Sequence, residues 1–517
     1  MQAEVFGSLL ACDLRWAAGM RDNRVGHRMR RLLVVAIALL AAGCVFLRPR
    51  RATLDERLDR LVGATEHDGS AIGVLVVDAA TGRVVYAHRA HERLIPASTL
   101  KLLTTSAILA ALGPDYRFRT AFSLTGPVSG GVFDGDLVIA ASGDPSFGSW
   151  RWPETAPEAT CDRVAQALAA RGIRTWAGAV RLAISADDRA ELGPGWAWDD
   201  AAEDFSAPPT RFVFRENVVD LRLSRPGHGC DAPPTVAWDP PIAAMVADVV
   251  LDPSATKSSL DCLRVLGGER IACTWRTPAR GCPRETEVPV AVDDPRALFA
   301  AYLDRALTRA HVVHRPPIVG PQAPSSLAVA QPLITLESPP LSELVKATNK
   351  ESLNLYAERF ALFLTQMRAG TESYAALGET MHGAAQKLGV SGREVVQVDG
   401  SGLSRYDLAT PAALVQVLRA SLASSYGAAY LASLPISGVD GTLAHRTPKG
   451  EARGRVHAKT GSMTGVHAWA GVTVRPNDHR HPRLVFAIQI DGLDHPTVPA
   501  DAFFDRAADA LVTAPIR

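Results

Sequence analysis

Three short stretches hold residues whose types and spacing could do chemistry: Ser98-Thr99-Leu100-Lys101, Ser352-Leu353-Asn354 and Lys459-Thr460-Gly461-Ser462. A serine hydroxyl is a weak nucleophile at neutral pH and needs a base within hydrogen-bond reach. A lysine amine becomes that base when burial lowers its pKa, whereas a guanidinium keeps its proton. Of 55 basic residues only seven are Lys, and two of the seven stand in these stretches. Together they describe a serine acyl-transfer centre that works without histidine.

The expected roles follow from residue type. Lys101 lies one helical turn after Ser98 and so shares its helix face, which makes Ser98 the nucleophile and Lys101 the base. Ser352 is placed to pass a proton between Lys101 and a leaving amine, and Asn354 to hold a substrate amide oxygen. Lys459 supplies positive potential for a substrate carboxylate and helps depress the pKa of Lys101. Lys459-Thr460-Gly461-Ser462 is expected to end one strand and begin the turn into the next; that strand binds an extended peptide along its edge, and Gly461 lets the peptide approach closely. The Ser462 amide completes an oxyanion hole with the Ser98 amide. Each stretch alone is weak, since Ser and Asn near a helix start are usually caps and a Lys in a hairpin is usually solvated. Their order and the element carrying each are what is specific.

The elements that must position these residues are legible from periodicity. Residues 71 to 87 read as a hairpin, and a helix opens at Pro96 and stops at Gly113-Pro114. That helix is apolar nearly all round, so Lys101 is expected to be buried. From 119 to 288 the chain changes to short alternating strands rich in Gly and Pro, with candidates at 136–140 and 179–184. Helices are predicted over 295–312, 341–346, 353–367 and 500–512, and strands over 455–460, 466–474 and 484–490. The predicted fold is mixed α/β of the α+β kind. An antiparallel sheet joins N-terminal and C-terminal segments, with helices on both faces and a large strand-rich insertion. The predicted divisions are an N-terminal segment 1–50, a first catalytic part 51–118, the insertion 119–288 and a second catalytic part 289–517.

Composition bounds the function class. The chain has 517 residues, 47% hydrophobic and 21% charged, with a formal net charge of +1, which gives no footing to a nucleic-acid role. Met29-Arg30-Arg31 followed by apolar Leu32 to Ala42 reads as a targeting segment, so export to a bacterial envelope, periplasmic and membrane-attached, is expected. Cys44 closes a lipoprotein-like Ala41-Ala42-Gly43-Cys44 box, and an uncleaved anchor is the alternative. Five further cysteines, Cys161, Cys230, Cys262, Cys273 and Cys282, cluster in the insertion, so disulfides with one thiol left over are expected and their pairing stays open. No Cys-x-x-Cys or His-Glu-x-x-His pattern occurs, so no metal site is expected. His457 and His467 flank the third stretch and read as exposed strand positions, with lining of the cleft as the sharper alternative. Trp196 and Trp198 read as core anchors of the insertion.

With its three motifs in this order, the chain resembles the penicillin-recognising serine enzymes. It is most similar to the branch called penicillin-binding protein 4, D-alanyl-D-alanine carboxypeptidases and endopeptidases of peptidase family S13. Further matching stretches are 141–145, 195–200, 216–219, 398–404 and 438–443, and the resemblance runs from about residue 54 to the end. It implies a transpeptidase-like domain and cleavage of peptidoglycan peptides ending in D-Ala-D-Ala through an acylated Ser98, with cross-link cleavage as a second activity. It also implies β-lactams as covalent inhibitors, no cofactor, and an acidic residue of the insertion, Asp187 or Asp188, facing the amine of the peptide's diamino acid. Leu353 departs from the family, which commonly has Asp there. Rival readings are a β-lactamase or esterase on the same constellation and a catalytically silent wall-binding protein.

Overall fold

The computed structural model describes residues 52–516 except 68, 185–190, 227–229, 231, 243–244, 266–269, 323–329, 448 and 494–499. The targeting segment with Cys44, and both Asp187 and Asp188, therefore lie outside the described residues. Among those described, no helix is long and apolar enough to cross a membrane.

Strands Ala71–Asp78 and Val84–His88 from the N-terminal part join Val456–Met463, Val466–Arg475 and Asp478–Asp491 from the C-terminal part. The sheet order is 84–88, 71–78, 478–491, 466–475, 456–463, and every pairing is antiparallel. Alternation along each strand splits the side chains between two cores. Ile72, Val74, Val76, Trp469, Phe486 and Ile488 pack on helices Leu54–His67 and Ala500–Thr513. Leu75, Val77, Ala470, Val472, Val485 and Ala487 pack on the other face, against helices Lys101–Leu112, Leu341–Glu351, Asn354–Ala369 and Pro411–Leu422. The predicted antiparallel sheet with helices on both faces is what forms.

We propose that the strand-rich module continues past 288. Gln331–Glu337 pairs with Arg119–Leu124, and Leu298, Phe299, Leu303 and Leu307 of helix Pro295–Arg309 lie in the module's own core. On that pairing we place its second boundary near 338. Turn signals mark loops but do not say which sheet a returning strand joins. The module also holds helix Pro157–Ala170, which the sequence reading lacks. Cys230 pairs with Cys282, and Cys262 with Cys273 directly opposite it across two strands, leaving Cys161 reduced and buried.

Candidate active site

Ser98 sits in a single 3-10 turn, Ala97–Leu100, that runs straight into helix Lys101–Leu112. Ala97, Thr99 and Leu100 are buried and Ser98 alone in the turn is half-exposed, so the hydroxyl is the group offered to the cleft. Two glycines make room for this turn. A Cβ on Gly461 would stand 2.8 Å from the Pro96 carbonyl oxygen and 3.0 Å from the Ser98 nitrogen. A Cβ on Gly402, at φ +79, would stand 2.1 Å from the Ala97 carbonyl oxygen. Gly461 is therefore needed for the approach of the chain's own nucleophile turn. Ala97 at φ 45 and Ser352 at φ 62 occupy the left-handed region, at a cost of about 1–3 kcal/mol each that surrounding packing must offset.

Lys101 is fully buried, and its Nζ lies 2.7 Å from Ser98 Oγ, 2.6 Å from Asn354 Oδ1 and 2.9 Å from the Ser401 carbonyl oxygen. Burial pulls its pKa down to about 7 against the opposing fields of Asp399, Glu358 and Asp407. A neutral amine has two N–H bonds and one lone pair. Asn354 and Ser401 accept the two N–H bonds, so the lone pair is left facing the Ser98 hydroxyl.

Lys459 is also fully buried and donates to Ser352 Oγ at 2.9 Å and to the Thr460 carbonyl at 2.7 Å. Burial, then the charge of Lys101, pulls its pKa well below the ordinary lysine value. The two ammonium charges repel each other, so each disfavours the charged form of the other, and burial is the larger cause for both. Ser352 ends helix Leu341–Glu351 and hydrogen-bonds Lys459 rather than Lys101.

Asn354 opens the next helix with both polar ends engaged, its Oδ1 on Lys101 and its Nδ2 donating to the Phe205 carbonyl at 2.8 Å. One N–H of that carboxamide remains for a ligand. The Thr460 hydroxyl bonds Thr442 at 2.8 Å, tying the strand to the 438–443 loop.

Strand Val456–Met463 is the edge of the sheet. Ala458 N–H donates outward to Pro435 and the Val456 carbonyl accepts from Ser437. By two-residue alternation the Thr460 and Ser462 backbone groups point to the same open side, toward the Ser98 turn. A cleft of about 760 Å³ joins these parts, lined by Ser98, Ser352, Asn354, Leu403, Ser462 and Thr464 among others.

Of the predicted site residues, Ser98, Lys101, Ser352, Asn354, Lys459, Thr460, Gly461 and Ser462 thus converge, and Asp188 lies outside the described residues. His457 is buried at 4% exposure, against the expectation of an exposed position. Trp198 is 59% exposed, not a core anchor, and Trp196 reaches out of the insertion to Asp399 at 2.9 Å. The residues with no assigned sequence role are Ser401, Asp399 and Glu358. Asp399-Gly400-Ser401-Gly402 has the composition of a turn, which signals a loop but not which carbonyl it aims. Among the described residues, no cluster of His, Cys, Asp and Glu could hold a metal ion.

The D-Ala-D-Ala carboxypeptidase 3 (S13) family matches residues 54–506. A D-alanyl-D-alanine carboxypeptidase of an Actinomadura species is 29% identical over 515 residues, 95% of this chain and 93% of the relative. The carboxypeptidase DacB of Haemophilus influenzae is 26% identical over 420 residues, 78% of this chain and 82% of the relative. The crystal structure of penicillin-binding protein 4 from Haemophilus influenzae superposes with a TM-score of 0.72 at 24% identity, covering 88% of this chain and 98% of that one, a likeness of fold. This chain belongs to the D-Ala-D-Ala carboxypeptidase 3 (S13) family.

Proposed function

From membership of that family, we propose that this enzyme is a serine-type D-Ala-D-Ala carboxypeptidase acting on peptidoglycan peptides in the bacterial envelope. Ser98 attacks the carbonyl between the two D-Ala residues while Lys101 takes its proton. The carbonyl oxygen, now an anion, is held by the Ser98 and Ser462 amides. The proton that Lys101 took is passed through the Ser352 hydroxyl to the departing amine and D-Ala leaves; water then gives a proton back through Lys101 to Ser98 Oγ as its hydroxide cleaves the ester. Lys459 and Thr460 face the terminal carboxylate, whose arrival favours the charged form of Lys459. The same open edge and cleft suit cross-linked peptides, so endopeptidase cleavage belongs to this reading, as does attachment to the membrane through the N-terminus.

The observation that carries the reading is the 2.7 Å contact of Lys101 Nζ with Ser98 Oγ in a buried site whose other acceptors are neutral. One relative's structure is described as complexed with a β-lactam. In this chain a β-lactam is expected to acylate Ser98. Intact mass after exposure to benzylpenicillin, followed by peptide mapping, should find one adduct on the peptide containing Ser98. Ser98→Ala should form none and should release no D-Ala. An adduct elsewhere would overturn the assignment, and rapid release of the penicilloyl group would mark a β-lactamase instead.

A further inference from the structure

Two acceptors orient the amine of Lys101, and both are themselves held from the strand-rich module. The first is Asn354 Oδ1. The carboxamide has two possible orientations, and the Phe205 carbonyl, 2.8 Å from Nδ2, selects one of them. Turned over, the group would set oxygen against oxygen at Phe205 and N–H against N–H at Lys101.

The second acceptor is the Ser401 carbonyl. Its loop is shaped by two buried carboxylates: Asp399 accepts from the N–H groups of Ser401, Gly402 and Ser404, and Glu358 from those of Gly400 and Ser401. The module's contribution is Trp196, whose indole N–H donates to Asp399 Oδ2 at 2.9 Å. The backbone on either side follows suit, with Arg405 N–H on the Gly195 carbonyl and Ser404 Oγ on that of Pro194.

We infer that the inserted module positions the general base, with Trp196 acting through Asp399 and Phe205 through Asn354 to hold the Lys101 lone pair on Ser98. This rests on the assignment of Ser98 and Lys101 as the acylating pair. It gives the insertion a part in proton transfer that is separate from any contact with the substrate. Charged or titratable groups around Lys101 are Asp399, Glu358 and Asp407, which favour its protonated form, and Lys459, which stands near enough to feel its charge. Loss of the indole donor leaves Asp399 less neutralised, so Lys101 holds its proton to higher pH.

The test is the rate of benzylpenicillin acylation against pH, measured by intact mass on the full chain. Trp196→Phe removes the donor and keeps an aromatic ring. It should move the acid limb of the profile upward by about one pH unit and so slow acylation at pH 7 about fivefold, while Trp196→His, which keeps a ring N–H, should recover part of both. Should Trp196→Phe fail to fold, Trp196→Met takes its place. An unmoved acid limb alongside a lowered melting temperature would reduce Trp196 to a packing residue and overturn the inference. Absence of any Ser98 adduct in the unaltered enzyme would instead strike the assignment beneath it.

Discussion

On the surface of the inserted module, Arg270 bonds Asp248 at 2.6 Å and Arg222 bonds Glu287 at 2.8 Å, each pair about half exposed to water. At the catalytic centre Lys101 and Lys459 are fully buried, and their hydrogen-bond partners are hydroxyl, amide and carbonyl oxygens. A solvated arginine beside a carboxylate keeps its proton at any working pH and adds little to stability. A buried lysine facing neutral oxygens keeps its geometry whether or not it is charged, so the proton can move. Lys350 lies between these extremes: it is largely buried but bonds both oxygens of Asp440 at 2.7 Å, and it fastens the 438–443 loop beside the site. A lysine is thus suited to chemistry or to structure by what it faces, burial being common to both.

The sharpest way to break this contrast is Lys101→Met, which keeps the bulk and removes the lone pair. Acylation of Ser98 by benzylpenicillin should fall about 10²–10⁴-fold, read by stopped-time mass spectrometry, and an unchanged rate would move the base elsewhere. Next is Gly461→Ala, whose new Cβ would meet the Pro96 carbonyl oxygen at 2.8 Å and must displace the nucleophile turn. A shift of that kind costs about 10²-fold in rate, with D-Ala release and acylation falling together.

Acidity sharpens the contrast without mutation. Lys101, with its pKa lowered to about 7, works as a base only when deprotonated, so acylation should rise with pH and level off above that value. Below it the rate should drop close to tenfold per pH unit, and a flat profile from pH 5 to 8 would contradict a lysine base. The smallest effect belongs to the module's surface: Arg270→Ala should leave both melting temperature and acylation rate unchanged within error, since its partner Asp248 is half-exposed.

Much of the centre is legible in the chain because each stretch is local. Ser98 and Lys101 meet across one helical turn, and Thr460 and Ser462 share a direction because strands alternate. The hairpin at 71–87, the helix from Pro96 and the strands near 456–490 follow from periodicity in the same way. Helices Tyr374–Lys387 and Pro411–Leu422 escape that reading, although Pro411 behind the Thr410 cap is a recognisable helix start. What is not legible is which distant groups face a given side chain. Nothing local in Asn354 points to Phe205, and nothing in Trp196 points to Asp399.

Residue choice alone settled that this chain carries a serine with a lysine one turn away, two further motif segments in order, and enough apolar sequence to bury them. Those are properties of type and spacing, and covalent connectivity fixes them. Tertiary packing decided that Gly461 and Gly402 clasp the nucleophile turn, that Ser352 bonds Lys459, and that Phe205 meets Asn354 and Trp196 meets Asp399. Such contacts join residues up to several hundred positions apart, and only the closing of the sheet and the docking of the module bring them within hydrogen-bond reach.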